Sequence, residues 1–126
     1  MLSCQQIWKG IKMSSTIIGR LTEDPETIFT YAGNAITSFC VAVSLKKGNE
    51  EHVTYFHCSS WGTLAKGIAD SLHKGDRIIV EGRLFQEPDE TADGTSITRN
   101  VVLAEAVGPD LRFQTAVVSQ NPKSVT

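Results

Sequence analysis

No run of apolar residues in this 126-residue chain approaches the length of a membrane span, so no transmembrane helix is expected. Cysteine is scarce. Cys4, Cys40 and Cys58 form an odd set without paired spacing, which argues against a disulfide framework and suits a reducing compartment. An excess of cations is also missing: 12 Lys and Arg against 14 Asp and Glu leave a formal net charge of −2. A polyanionic partner therefore has to be held by a local patch, not by the field of the whole molecule. There is no GxxxxGK[ST] loop to cradle phosphates, and no Ser–His–Asp arrangement follows from the spacing. The paired carboxylates Glu50-Glu51 and Asp89-Glu90 fall in polar connections, where solvated charge is the ordinary explanation. His57 and Cys58 are neighbours that a strand turns to opposite faces, so they do not chelate one metal. Cys40 and Cys58 lie in apolar strands and read as small core residues, not nucleophiles. The expectation is a protein without catalytic residues, metal or cofactor. Residues 1–12 lack the continuous apolar stretch of a secretory signal, which makes the cytoplasm the expected location.

What is present is a series of strands and one helix. Ser15 to Leu21 reads as a first strand, with Gly19 marking a bulge or bend, and Asp24-Pro25-Glu26 breaks it. Thr27 to Tyr31 is a short extended segment before a turn at Gly33-Asn34. Phe39, Val41, Val43 and Leu45 then alternate with smaller residues, as in a half-buried strand. A polar hairpin, Lys46 to Glu51, leads to a strand over Val53–Trp61. Leu64, Ala65, Ile68, Ala69 and Leu72 follow helical spacing, and Lys74-Gly75 predicts the helix end. Ile78 to Leu84 is the next strand. A long polar loop over Gln86–Gly94 precedes its partner at about Ser96–Val107, and Leu111 to Val118 supplies a last short strand.

The strand over Val53–Trp61 carries the most information. Side chains two apart share a face, so Tyr55, His57, Ser59 and Trp61 line one side with Val53, while Phe56, Cys58 and Ser60 line the other. Two aromatics flanking an imidazole on one open face form a surface on which unpaired bases stack. Three strands, a helix and two more strands is the order of a five-stranded OB-fold: an all-β Greek-key barrel with one α-helix between its third and fourth strands. Residues 1–13 read as an N-terminal extension, 14–118 as the OB-fold domain, and 119–126 as a short disordered tail.

From about residue 15 to 107 the chain resembles the bacterial single-stranded DNA-binding protein family. The matching pieces occur in family order and spacing: Ile17-Ile18-Gly19-Arg20-Leu21, Asp24-Pro25-Glu26, Gly33-Asn34-Ala35, Tyr55 to Trp61 with Gly62-Thr63-Leu64-Ala65, and Lys74-Gly75-Asp76 running into Val80-Glu81-Gly82-Arg83-Leu84. Gly108-Pro109-Asp110-Leu111-Arg112-Phe113 is similar to the end of the core in actinobacterial members. The resemblance implies a homotetramer that wraps single-stranded DNA with little sequence preference, in replication, recombination or repair. It implies base stacking for Tyr55 and Trp61 and places His57 where members often have a phosphate-contacting arginine. Further candidates are Lys46 and Lys47 at the hairpin end, Arg83 and Arg99 flanking the groove, and Phe85 as another stacking ring. A solubilising turn for the lysines, structural ion pairs for the arginines and subunit packing for Phe85 stay open as alternatives.

The departures from the family pattern are equally concrete. Lys46-Lys47 stands where many members carry a tryptophan, and the loop between the last two barrel strands offers Glu87, Asp89, Glu90 and Asp93 with no cation among them. These carboxylates repel phosphate and predict weakened binding. They also leave open an OB-fold that serves as an oligomerisation or adaptor module, and stacking alone does not separate DNA from RNA. The chain closes on Asn121-Pro122-Lys123-Ser124-Val125-Thr126 without the family's acidic, phenylalanine-ended tip, so recruitment of replication proteins by that route is not expected.

Overall fold

The computed structural model describes residues 14–121, so the expected extension lies outside the described residues and the tail largely so. Its strands are β1 (Ser14–Leu21), β2 (Glu26–Phe29), β3 (Ala35–Lys47), β4 (Glu50–Trp61), β5 (Arg77–Glu90) and β6 (Ser96–Pro109), with helix α1 (Gly62–Ser71) between β4 and β5. The sheet runs β1-β5-β6-β4-β3-β2, and a β1–β3 pairing closes it into a barrel. β1 and the short β2 share the same edge of β3, through Leu21–Val41 and Ile28–Ile36, and so behave as two halves of one barrel strand. Counted in that way, the helix sits between the third and fourth of five barrel strands, as the sequence predicts.

Alternation along the strands builds the core. Leu21, Phe39, Val41, Cys58, Ile78, Val80, Val102 and Ala104 point inward, and Ile68 and Leu72 close one end of the barrel. A buried polar contact fixes the helix against the sheet: the Thr37 hydroxyl donates to the carbonyl of Ala65 at 2.8 Å. Its single proton being spent there, Thr37 accepts from Thr27, whose Oγ1 lies 2.7 Å away.

Several details differ from the sequence expectation. Gly19 marks no bulge; β1 passes so close to β3 that a Cβ there would lie 2.4 Å from the Ala42 carbonyl oxygen. The bulge falls at Glu81/Gly82 in β5. The helix stops at Ser71, with Leu72 already extended and its side chain buried. Lys74-Gly75 belongs instead to the following turn, where Gly75 has φ 89 and the Asp76 carboxylate accepts the His73 N–H at 2.8 Å. The expected loop over Gln86–Gly94 is mostly hairpin, because β5 continues to Glu90 and pairs it with Ser96. Leu111–Val118 forms no strand, because β5, β6 and β4 are already paired on both edges. The segment is held instead by Arg77, whose Nε lies 2.7 Å from Asp110 and whose carbonyl accepts Gln114 Nε2 at 2.6 Å.

Candidate nucleic-acid interface

The alternation in β4 puts its two chemistries on opposite sides. Cys58 and Ser60 are buried, while Tyr55 and Trp61 keep 54% and 49% of their surface exposed. His57 is exposed and Ser59 half-buried on the same outward face. Tyr55 and His57 stay open partly because of their neighbours. Tyr55 stands opposite Ala42 and His57 opposite Cys40, side chains too short to cover a ring. On the other side β6 runs parallel, with Val101 beside His57 and Leu103 beside Ser59.

A groove of about 410 Å³ crosses this face. Ser38, Cys40, His57 and Ser59 form its floor, Glu23, Asp24 and Glu26 rim one side, and Glu87, Arg99 and Val101 wall the other. The acidic rim is fixed in place: Asp24 accepts the Lys74 backbone N–H at 2.8 Å, tying the β1–β2 connection to the turn before β5. The floor and walls therefore belong to strands and a braced loop.

Electrostatics divide the candidate cations. Burial, and secondarily the charge of Arg99, lower the pKa of His57, against an opposing pull from Asp89. His57 is therefore neutral at pH 7 in the free protein and is not a standing counterpart of the family's arginine. Arg99 lies 2.5 Å from Asp89, and Arg83 lies 3.3 Å from Glu105. Both arginines thus enter ion pairs, and each guanidinium remains partly exposed. Lys46 and Lys47 are exposed and enter no ion pair among the described residues. Alternation separates them. Lys46, opposite Glu51, shares the face of Tyr55, and Lys47, opposite Glu50, is turned to the other.

Phe85 sits opposite Val101 on the groove side of the sheet, but only 8% of it is exposed. It presents no ring face for stacking in this protomer, which corrects its role as a candidate base platform. The four carboxylates of the β5–β6 connection are also not equivalent. Asp89 is paired with Arg99. Asp93 accepts from the Thr91 hydroxyl and from the Thr95 backbone N–H at 3.1 Å, and these bonds hold its pKa down to about 2. It braces the hairpin turn while keeping its charge.

One cation escapes the sequence reading. β1 pairs Arg20 with Ala42, the residue opposite Tyr55, so Arg20 borders the same face while its Nη1 donates to the Gly75 carbonyl at 3.1 Å. Nothing local could have signalled this, because the β1–β3 contact exists only when the barrel closes. The two thiols differ: burial pushes Cys58 up to about 12, and Cys40 is half-buried on the groove floor.

Residues 13–110 match the Single-strand binding protein family. The single-stranded DNA-binding protein of Mycobacterium tuberculosis is 36% identical over 116 residues, spanning 86% of this chain and 71% of that protein. The Corynebacterium glutamicum protein of the same name is 34% identical over 115 residues, spanning 86% of this chain and 51% of that protein. Among solved structures, the small single-stranded DNA-binding protein from Streptomyces coelicolor superposes with a TM-score of 0.69 at 27% identity, covering 84% of this chain and 99% of that one. The second single-stranded DNA-binding protein of Mycobacterium smegmatis gives 0.67 at 28% identity, covering 87% and 100%. With the barrel, the helix position and the open face of β4 all in agreement, the chain belongs to the single-strand binding protein family.

Proposed function

We propose that this protein binds single-stranded DNA without catalysis and with little sequence preference, protecting and extending it during replication, recombination or repair. The observation that carries the reading is the outward row Tyr55, His57 and Trp61, whose rings stand open on the face that OB-folds use for oligonucleotides. The names of the relatives support the same ligand. Binding only the unpaired form shifts the duplex–single-strand equilibrium by mass action. Tyr55 and Trp61 stack on bases, and Lys46, Arg99, Arg83, Arg20 and a protonated His57 meet phosphates. The barrel unit is 14–118, it works as a homo-oligomer of tetrameric form, and it acts in the cytoplasm on nucleoid DNA. No helix among the described residues is long and apolar enough to cross a membrane.

The test is fluorescence anisotropy of a labelled oligo-dT of about 35 nucleotides, several family-sized sites long, with a duplex of equal length as control. Wild type is expected to bind the single strand and to ignore the duplex. The double variant Tyr55→Ala with Trp61→Ala should bind at least about tenfold more weakly, since each stacked base is worth roughly 1–3 kcal/mol. Unchanged affinity in that variant sinks the stacking reading, and absence of single-strand binding by the wild type sinks the function.

A further inference from the structure

The row of stacking residues along β4 ends at Trp61, but the apolar surface does not. Trp61 stands directly opposite Ile36 on β3, and Ile36 directly opposite Ile28 on β2. Directly opposed residues share a face and bring their side chains into contact range. The intervening Thr27 and Thr37 are bonded to each other, and Thr37 is fully buried on the core side, so the two isoleucines face outward with Trp61. Ile28 is 64% exposed and Ile36 half-buried. No further strand covers them, because β2 is the last strand of the sheet on that side. Tyr55 to Trp61 spans about 20 Å of strand, and the step from Trp61 across to Ile28 adds about 10 Å at ordinary interstrand spacing.

We propose that Ile36 and Ile28 form an apolar shelf that takes the face of one further base, so that the bound strand turns at Trp61 and leaves across β3 and β2. The assignment rests on the single-stranded DNA reading and extends it to two residues outside the aromatic row. Contiguous exposed apolar surface marks a binding site more often than scattered single residues do. Its continuity with Trp61 identifies the occupant as the next base of the same strand. Charge selects the direction. The adjacent row holds Glu26, Ser38 and Ser59, with Glu23 and Asp24 alongside, so a phosphate chain leaving Trp61 into the groove meets carboxylates. The row Trp61, Ile36, Ile28 presents no carboxylate. An apolar shelf makes no hydrogen bonds to base edges, which suits a strand read without sequence preference.

The experiment compares wild type, Ile28→Ser and Ile28→Tyr in oligo-dT binding over a range of salt, with light scattering to record the oligomeric state. Ile28→Ser is expected to bind roughly three- to tenfold more weakly, as for the loss of a partly buried aliphatic contact. The slope of log affinity against log salt should stay unchanged, because no phosphate contact is removed. Ile28→Tyr, with a larger face at the same exposed position, should bind at least as tightly as wild type. Wild-type affinity in Ile28→Ser overturns the shelf while leaving the function standing if the wild type itself binds. A changed oligomeric state with unchanged affinity per site overturns it too, and assigns the shelf to contact between copies of this chain. Failure of the wild type to bind single-stranded DNA would be a failure of the function, visible in the same titration.

Discussion

The guanidinium of Arg99 lies 2.5 Å from the carboxylate of Asp89, so the cation that walls the groove is neutralised from within its own hairpin. A phosphate arriving at Arg99 has to displace Asp89, and the net gain is small. Asp89→Asn removes the competitor. An exposed pair of this kind contributes about 0–1 kcal/mol to stability, so the variant is expected to fold normally. Its affinity for oligo-dT should rise at low salt, and the log–log salt slope should steepen by about 0.7, the increment for one added phosphate contact on a single strand. Titrations of both proteins at several salt concentrations check this. An unchanged slope would mean that Arg99 stays outside the phosphate path.

His57 makes binding depend on pH. Burial and Arg99 lower its pKa in the free protein, with Asp89 pulling the other way. A phosphate beside the ring stabilises the imidazolium and raises that pKa, so binding takes up a proton. Affinity is then expected to increase as pH falls from about 8 towards 5.5, near and below the ordinary histidine range. Above the bound-state pKa it should be flat. His57→Gln should abolish the dependence between those limits. Parallel pH profiles for wild type and variant would show that phosphate does not reach the imidazole.

The parts of this protein legible in its sequence are those with a local period. Alternation in Val53–Trp61 separates Tyr55, His57 and Trp61 from Cys58 and Ser60, and the register bears out each side. The helix is equally legible from Leu64, Ala65, Ile68 and Leu72. Long-range pairing is not. Arg99 and Asp89 meet only because the hairpin turn falls at residues 91–95, a position that the polar composition of the connection does not specify. Alternation assigns Phe85 and Arg83 to one face, and both pair with outward residues of β6, yet Phe85 is buried, which that alternation does not encode. The apolar residues of Leu111–Val118 suggest a strand, but β4, β5 and β6 are already paired on both edges.

Thr37 is expected to matter for stability and not for DNA. Its hydroxyl is fully buried, donates to Ala65 and accepts from Thr27. Thr37→Val keeps the volume but removes the second hydrogen bond of the Ala65 carbonyl and the partner of the half-buried Thr27 hydroxyl. The net loss of two hydrogen bonds costs about 1–3 kcal/mol. Chemical denaturation should show a loss of that size with an unchanged m-value, while oligo-dT affinity at 25 °C stays at the wild-type level. A neutral substitution would mean that α1 is held by apolar packing alone.

Cys40 offers a footprint of the bound strand. It sits half-buried on the groove floor opposite His57, whereas Cys58 is buried with its thiol pushed up to about 12. The thiolate is the reactive species, so at pH 7.5 a maleimide is expected to modify Cys40 and spare Cys58. Replacing Cys4 by Ser leaves these two as the only cysteines of the chain. In that background, saturating oligo-dT should slow the labelling of Cys40 markedly, and equal duplex should not. Mass spectrometry of the tryptic peptides separates the two sites. Protection by the single strand would mean that the bases passing from Tyr55 to Trp61 lie over the groove floor. Full reactivity in the saturated complex would mean that the strand bridges the two aromatics without entering the groove, and Arg99 on its wall would then lose its claim on the phosphates.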